Sequence, residues 1–123
     1  MAAIIIGVIE INNVVRGDML DVSFGVQHDL DLTGKSLYSE VRREQDTEVI
    51  LKFSELDNSL IKTVTSSQLM NLRFHKDASN MAVPVGAYQL SVVMGTAPNY
   101  EDKQTIIQGT LKVGREITHK PTV

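Results

Sequence analysis

The most regular stretch of the chain is 20–27, where Leu20, Val22, Phe24 and Val26 alternate with Asp21, Ser23, Gly25 and Gln27. A period of two puts one set on a buried face and the other in water, so the segment is predicted to be a half-buried strand. The same beat returns along the chain. Leu37, Ser39 and Val41 oppose Tyr38, Glu40 and Arg42, and Val49, Leu51 and Phe53 point one way within 48–53. A β-branched run at 60–65 follows, then Met70, Leu72 and Phe74 against Asn71, Arg73 and His75. Tyr88, Leu90, Val92 and Met94 form another such set, and Ile107, Gly109, Leu111 and Val113 share a face of the last strand, at about 104–113. The first segment differs. Ile4, Ile6 and Val8 lie on one side and Ile5, Ile9 and Ile11 on the other, which predicts a strand covered twice. Two arrangements satisfy that demand: a central strand of the domain's own sandwich, or a strand lent to a neighbouring subunit's sheet edge.

The punctuation between these runs is that of tight turns. Asn12-Asn13 and Arg16-Gly17-Asp18 predict a bend, and Thr33-Gly34 a turn after the loop 28–31. Residues 76–83 break the rhythm; Asp77 is placed to cap one helical turn, with Met81 or Val83 closing the end of the sandwich. Pro84 stops that turn, Gly86 releases the chain, and 96–102 reads as a polar hairpin loop. Pro84, Pro98 and Pro121 all fall where strands should end. No helical period runs for a useful length. Seven or eight short strands with turn signals every ten or so residues spell an all-β, antiparallel sandwich.

Composition narrows the function. A chain of 123 residues with 42% hydrophobic content has room for one core. With no cysteine, disulfides and Cys-based zinc sites are excluded, and packing must supply the stability. A net charge of −3 disfavours nucleic-acid binding, and the Arg42-Arg43 pair is flanked by Glu40 and Glu44. Aromatics make up only 5% and there is no Trp, which argues against a stacking platform for sugars or bases. The apolar N-terminus has no basic residues before it and no cleavage site behind it, and is too short to span a bilayer as a helix. No membrane insertion is expected.

Candidate chemistry is sparse. His28, Asp29 and Asp31 share a loop, but calcium needs more oxygens at fixed spacing, so a solvated loop is expected there. His75 and His119 have no orienting partner in view. Glu40, Glu44, Asp46, Glu48, Glu55 and Asp57 lie in hydrophilic turns with nothing to raise a pKa by burial. Ser66-Ser67 lacks the glycines of a nucleophile elbow, and Arg16-Gly17-Asp18 reads as a turn before a strand. The reading is therefore non-enzymatic: no catalytic residues, no metal ligands, no cofactors. The candidate protein-interface residues are Ile4, Ile5, Ile6, Val8, Ile9 and Ile11.

Several phrases follow one another along the chain: Arg16-Gly17-Asp18 before an alternating strand, Asp31-Leu32-Thr33-Gly34 before the 37–42 strand, and the 70–74 strand running into the helical turn. Pro84-x-Gly86-x-Tyr88 and Gly109-x-Leu111-x-Val113 complete the set. Over about 16–118 this order resembles the N-terminal immunoglobulin-like domain of phage baseplate upper proteins and related tail or fibre adaptors. The resemblance implies an immunoglobulin-like sandwich with one short helical turn. It also implies an adaptor, connector or decoration role in a virion assembled in the host cytoplasm, with other virion proteins as partners and a homo-oligomeric, symmetric assembly. In such proteins the domain usually precedes a longer fibre or receptor-binding region, whereas this sequence ends at Val123. Residues 1–15 read as an apolar docking segment, 16–118 as the sandwich and 119–123 as a tail. The alternative from another class is a carbohydrate-binding sandwich for cell-surface recognition, using the 96–102 loop with Asn99 and Tyr100.

Overall fold

The alternating runs resolve into eight strands in a computed structural model that describes residues 7–43, 48–66 and 68–114. They are β1 (Gly7–Val15), β2 (Leu20–Gln27), β3 (Ser36–Arg42), β4 (Val49–Ser54), β5 (Leu60–Ser66), β6 (Leu69–Lys76), β7 (Gly86–Gly95) and β8 (Gln104–Gly114). A single 3-10 turn, Ala78–Asn80, lies between β6 and β7. One sheet has the order β1-β8-β7-β3-β4, and the other β2-β6-β5. The chain is thus an all-β, immunoglobulin-like sandwich. Every ladder is antiparallel except β1–β8, which is parallel. The exception follows from the Arg16–Met19 connection, where Gly17 (φ 86°) and the Asp18 N–H to Val15 carbonyl bond (3.0 Å) turn the chain from one sheet to the other.

The inner faces are those read from the alternation. Leu37, Val41, Phe53, Leu90, Val92 and Leu111 meet Leu20, Val26, Leu60, Met70, Leu72 and Phe74, all buried. All three phenylalanines join in one column: Phe74 sits edge-on to Phe53 of the opposite sheet (5.3 Å, 86°) and to Phe24 of its own (6.1 Å, 76°). The fully buried rings of Phe53 and Phe74 are each worth about 1.5–3 kcal/mol by burial, the half-buried Phe24 less, and each pair about 0.5–1.5 kcal/mol more. Met81 and Val83 are buried and close one end, as expected. Asp77 does not cap the turn with its side chain, against expectation. The backbone carbonyls of Asp77 and Ala78 already take the N–H groups of Asn80 and Met81, so the carboxylate is free to lie 3.4 Å from His75 Nε2.

Tyr88, buried at the start of β7, donates its hydroxyl to the Pro84 carbonyl. This is the tyrosine corner of immunoglobulin-type sandwiches, in which the residue two further on is a disulfide cysteine in antibody domains. Here that position is Leu90, 2% exposed, and apolar packing stands in for the bridge.

The N-terminal strand departs from expectation. Within its described part it is not covered twice: Ile9, Ile11 and Val14 face the core, while Val8 is 73% exposed and Glu10 lies in water. Within this single chain it is an edge strand of its own sheet rather than a central one. Asn12-Asn13 does not end it. A bulge between Ile11 and Val14 shifts the alternation by one residue, so the odd-numbered isoleucines and even-numbered Val14 share a face. Gly109 makes the pairing possible, because a Cβ there would lie 2.0 Å from the Ile9 carbonyl oxygen. A second irregularity, between Val92 and Val93, makes Ile106 the extra residue of β8, and Ile106 and Ile107 are both fully buried.

Candidate functional surfaces

Of the six residues singled out at the N-terminus, Ile9 and Ile11 belong to the domain's own core and Val8 projects into solvent. Ile4, Ile5 and Ile6 lie outside the described residues. Val8 borders a groove of about 470 Å³ along the seam between the sheets, with Gly7, Gly25, Val26, Gln27 and Leu69. Leu69 is 41% exposed, and the space over Gly25 is open. An edge strand with an exposed valine beside an exposed leucine is a surface that water solvates poorly.

The second surface is the outer face of the five-stranded sheet. Register places Glu40, Ser91 and Gln108 in one cross-strand row and Arg42, Gln89 and Thr110 in the next. Together they line a trough of about 770 Å³. Arg42 bonds Glu40 at 3.3 Å, and Lys103 also lines the trough. At one end, Tyr38 of β3 meets Tyr100 of the β7–β8 hairpin edge-on, with ring centres 4.7 Å apart. Burial, then Glu40 and Tyr100, push the Tyr38 phenol pKa up. Val93, in the same row as Tyr38, is only 6% exposed although it alternates outward, so this end of the face is covered.

The hairpin is held from below. Asp102 accepts hydrogen bonds from Lys35 Nζ, from the Thr96 N–H and from the Thr96 hydroxyl (2.8 Å each for the latter two). Those contacts, the Lys35 hydrogen bond first, hold the Asp102 carboxyl well below the usual range. Tyr100 takes a left-handed backbone (φ 52°), its N–H bonding the Thr96 carbonyl at 2.9 Å. Gly95 leaves room for the ring: a Cβ there would meet Tyr100 Cδ1 at 2.9 Å.

The remaining candidates are structural. His28 is not solvated, as its loop position suggested, but 7% exposed. Its Nδ1 accepts the Leu30 N–H at 3.1 Å, which places the hydrogen of the neutral ring on Nε2, a buried atom with no hydrogen-bond partner among the described residues. Asp29 and Asp31 do not join it; Asp31 accepts the Thr33 N–H in the turn. His75 has neighbours after all, with Asp21 Oδ2 at 3.9 Å and Asp77 Oδ1 at 3.4 Å. Arg73 engages Asp21 through two bonds of 2.8 Å, and the hydrogen bond to that guanidinium is the main cause lowering the Asp21 pKa. Glu55 accepts the Leu37 N–H, and Asp57 ties down Ser59 in the β4–β5 turn. Glu44, Asp46, Ser67 and His119 lie outside the described residues. No group of three or more potential metal ligands occurs among the described residues. None of their helices is long and apolar enough to cross a membrane.

No protein-family model and no curated protein sequence matches the chain. Among solved structures, it is similar to a chain of the complex of Dpr1 IG1 bound to DIP-eta IG1 (12% identity over 92% of this chain and 91% of that one, TM-score 0.31). It is similar too to a chain of the ZIG-8–RIG-5 IG1–IG1 heterodimer (14%, 88% and 82%, TM-score 0.30). A third is from a study of T-cell activation by the superantigen toxic shock syndrome toxin-1 (16%, 87% and 92%, TM-score 0.36). These superpositions are loose, and the fold assignment rests on the strand order, the corner and the core described above.

Proposed function

We propose that the chain is a non-enzymatic structural protein of a phage particle, an immunoglobulin-like adaptor or decoration module that joins other virion proteins. The observation that carries this reading is the N-terminal edge: a rigidly packed strand with Val8 73% exposed above a groove shared with Leu69. The order of sequence phrases shared with baseplate and fibre-adaptor domains supplies the virion setting. Binding of this kind works by shape and valency, since repeated weak contacts on a symmetric platform raise one another's effective concentration. The structure also decides which residues to alter. Removing the whole segment to Ile11 would take two core side chains with it, whereas Val8 touches the proposed contact alone. Mass spectrometry of gradient-purified particles from the phage that carries this gene tests the setting. The chain should co-purify at a fixed ratio to the major tail or capsid protein. Its absence from intact particles overturns the proposal.

A further inference from the structure

We infer that the outer face of the five-stranded sheet binds a neutral saccharide, laid along the trough between Tyr100 and Thr110. The inference does not depend on the virion reading, and it uses a face opposite in character to the N-terminal edge. Three observations converge. First, the two cross-strand rows Glu40-Ser91-Gln108 and Arg42-Gln89-Thr110 set a planar charged group, an amide and a hydroxyl beside one another. Sugar hydroxyls both donate and accept, and this set offers both roles at each level. Ser91 is short between longer neighbours, which leaves the floor concave, with a volume of about 770 Å³. Second, Glu40 and Arg42 pair at 3.3 Å, so the charges of the two rows offset one another, and Lys103 at the trough's end is the further cation of the lining. Hydrogen-bonding groups outnumber charges there, and the salt arm of the test separates a neutral ligand from an acidic one. Third, the trough runs on through Glu40 and Lys103 into a depression of about 430 Å³ walled by Tyr38, Leu56, Pro98 and Tyr100. An aromatic wall at one end of a hydrogen-bonding trough suits the apolar C–H face of a sugar ring; the Tyr100 hydroxyl is itself buried, so the ring offers its apolar surface. Tyr100 is set there in advance by its strained backbone and the Asp102 clamp, so little ordering is required on binding.

The test uses the full chain on a printed array of neutral and acidic oligosaccharides, followed by calorimetry with the strongest neutral hit. Binding of a neutral oligosaccharide is expected, weakened about tenfold by Gln89→Ala, Gln108→Ala or Tyr100→Ala, the cost of one good contact. Thr63→Ala on the opposite sheet should leave it unchanged, as should a rise from about 50 to about 500 mM salt. Gln89 and Gln108 are exposed, so their variants keep the fold, and circular dichroism checks this. No binding to any neutral glycan overturns the inference. So does binding that survives all three substitutions, or binding confined to acidic glycans and lost in salt.

Discussion

At Gly109 one missing methyl group decides whether the first strand can dock. A Cβ there would sit 2.0 Å from the Ile9 carbonyl oxygen, which is backbone and cannot swing aside. Gly109→Ala should therefore cost about 3 kcal/mol as β1 is forced off β8. Denaturant unfolding should read the loss, with Tm lower by about 10 °C; an unchanged midpoint would mean that β1 does not pair with β8. The sequence held this glycine only as a member of an alternating set, because a parallel neighbour is invisible to periodicity. Tyr88 is a milder case. Tyr88→Phe leaves the Pro84 carbonyl without its donor and should cost about 1–2 kcal/mol, measured by the same unfolding curves. His28 shows the opposite limit of sequence reading: flanked by Asp29 it looks wet, yet the chain folds Leu30 and Gln68 around it. Local polarity carries no record of what a distant loop will cover.

Among the elements, the regularly alternating strands were the most legible, since a period of two names the buried face of β2, β3, β6 and β7 without knowing their partners. The strands with irregularities were not. In β1 the bulge at Asn12-Asn13 looks like a break, and in β8 the extra Ile106 hides a second buried position. The first depends on pairing between strands far apart in sequence, and the second on the exact register of the β7–β8 hairpin, which alternation alone does not set. The β7–β8 hairpin was read as a polar loop, which it is, but its pairing with Tyr38 spans 62 residues and left no local signal. The hairpin also has a pH signature. Its clamp needs ionised Asp102, whose folded pKa lies well below its ordinary 3.8. The clamp's contribution is thus fully present above that ordinary value and is lost only as pH falls through the depressed folded one. The ring resonances of Tyr100 should hold steady from neutral pH down to about 4 and move only below it. Movement near pH 6 would show that another group holds the loop. Gly95→Ala should displace the same resonances at neutral pH while strand signals remain, because the new methyl meets the Tyr100 ring at 2.9 Å.

The molecule as a whole keeps its chemistry quiet inside and its variety outside. Among the described residues, the core is closed by aliphatic packing and one column of phenylalanines, carboxylates serve turns and sheet edges, and the N-terminal edge and the polar trough are the surfaces proposed for binding. That division of labour makes the edge strand the place where the proposed virion role stands or falls. Val8→Asp places a charge on a side chain already in water, so the folded domain should keep its unfolding free energy within about 1 kcal/mol of the parent. The most direct measurement of the proposed virion role is a competition in which Val8→Asp and parent copies are co-expressed during growth of the phage and their ratio is counted in purified particles. The variant should be depleted about tenfold or more from particles while remaining equally abundant and folded in the cell. Equal incorporation of the two would mean that the edge makes no contact that matters, and that the module is held by some other face.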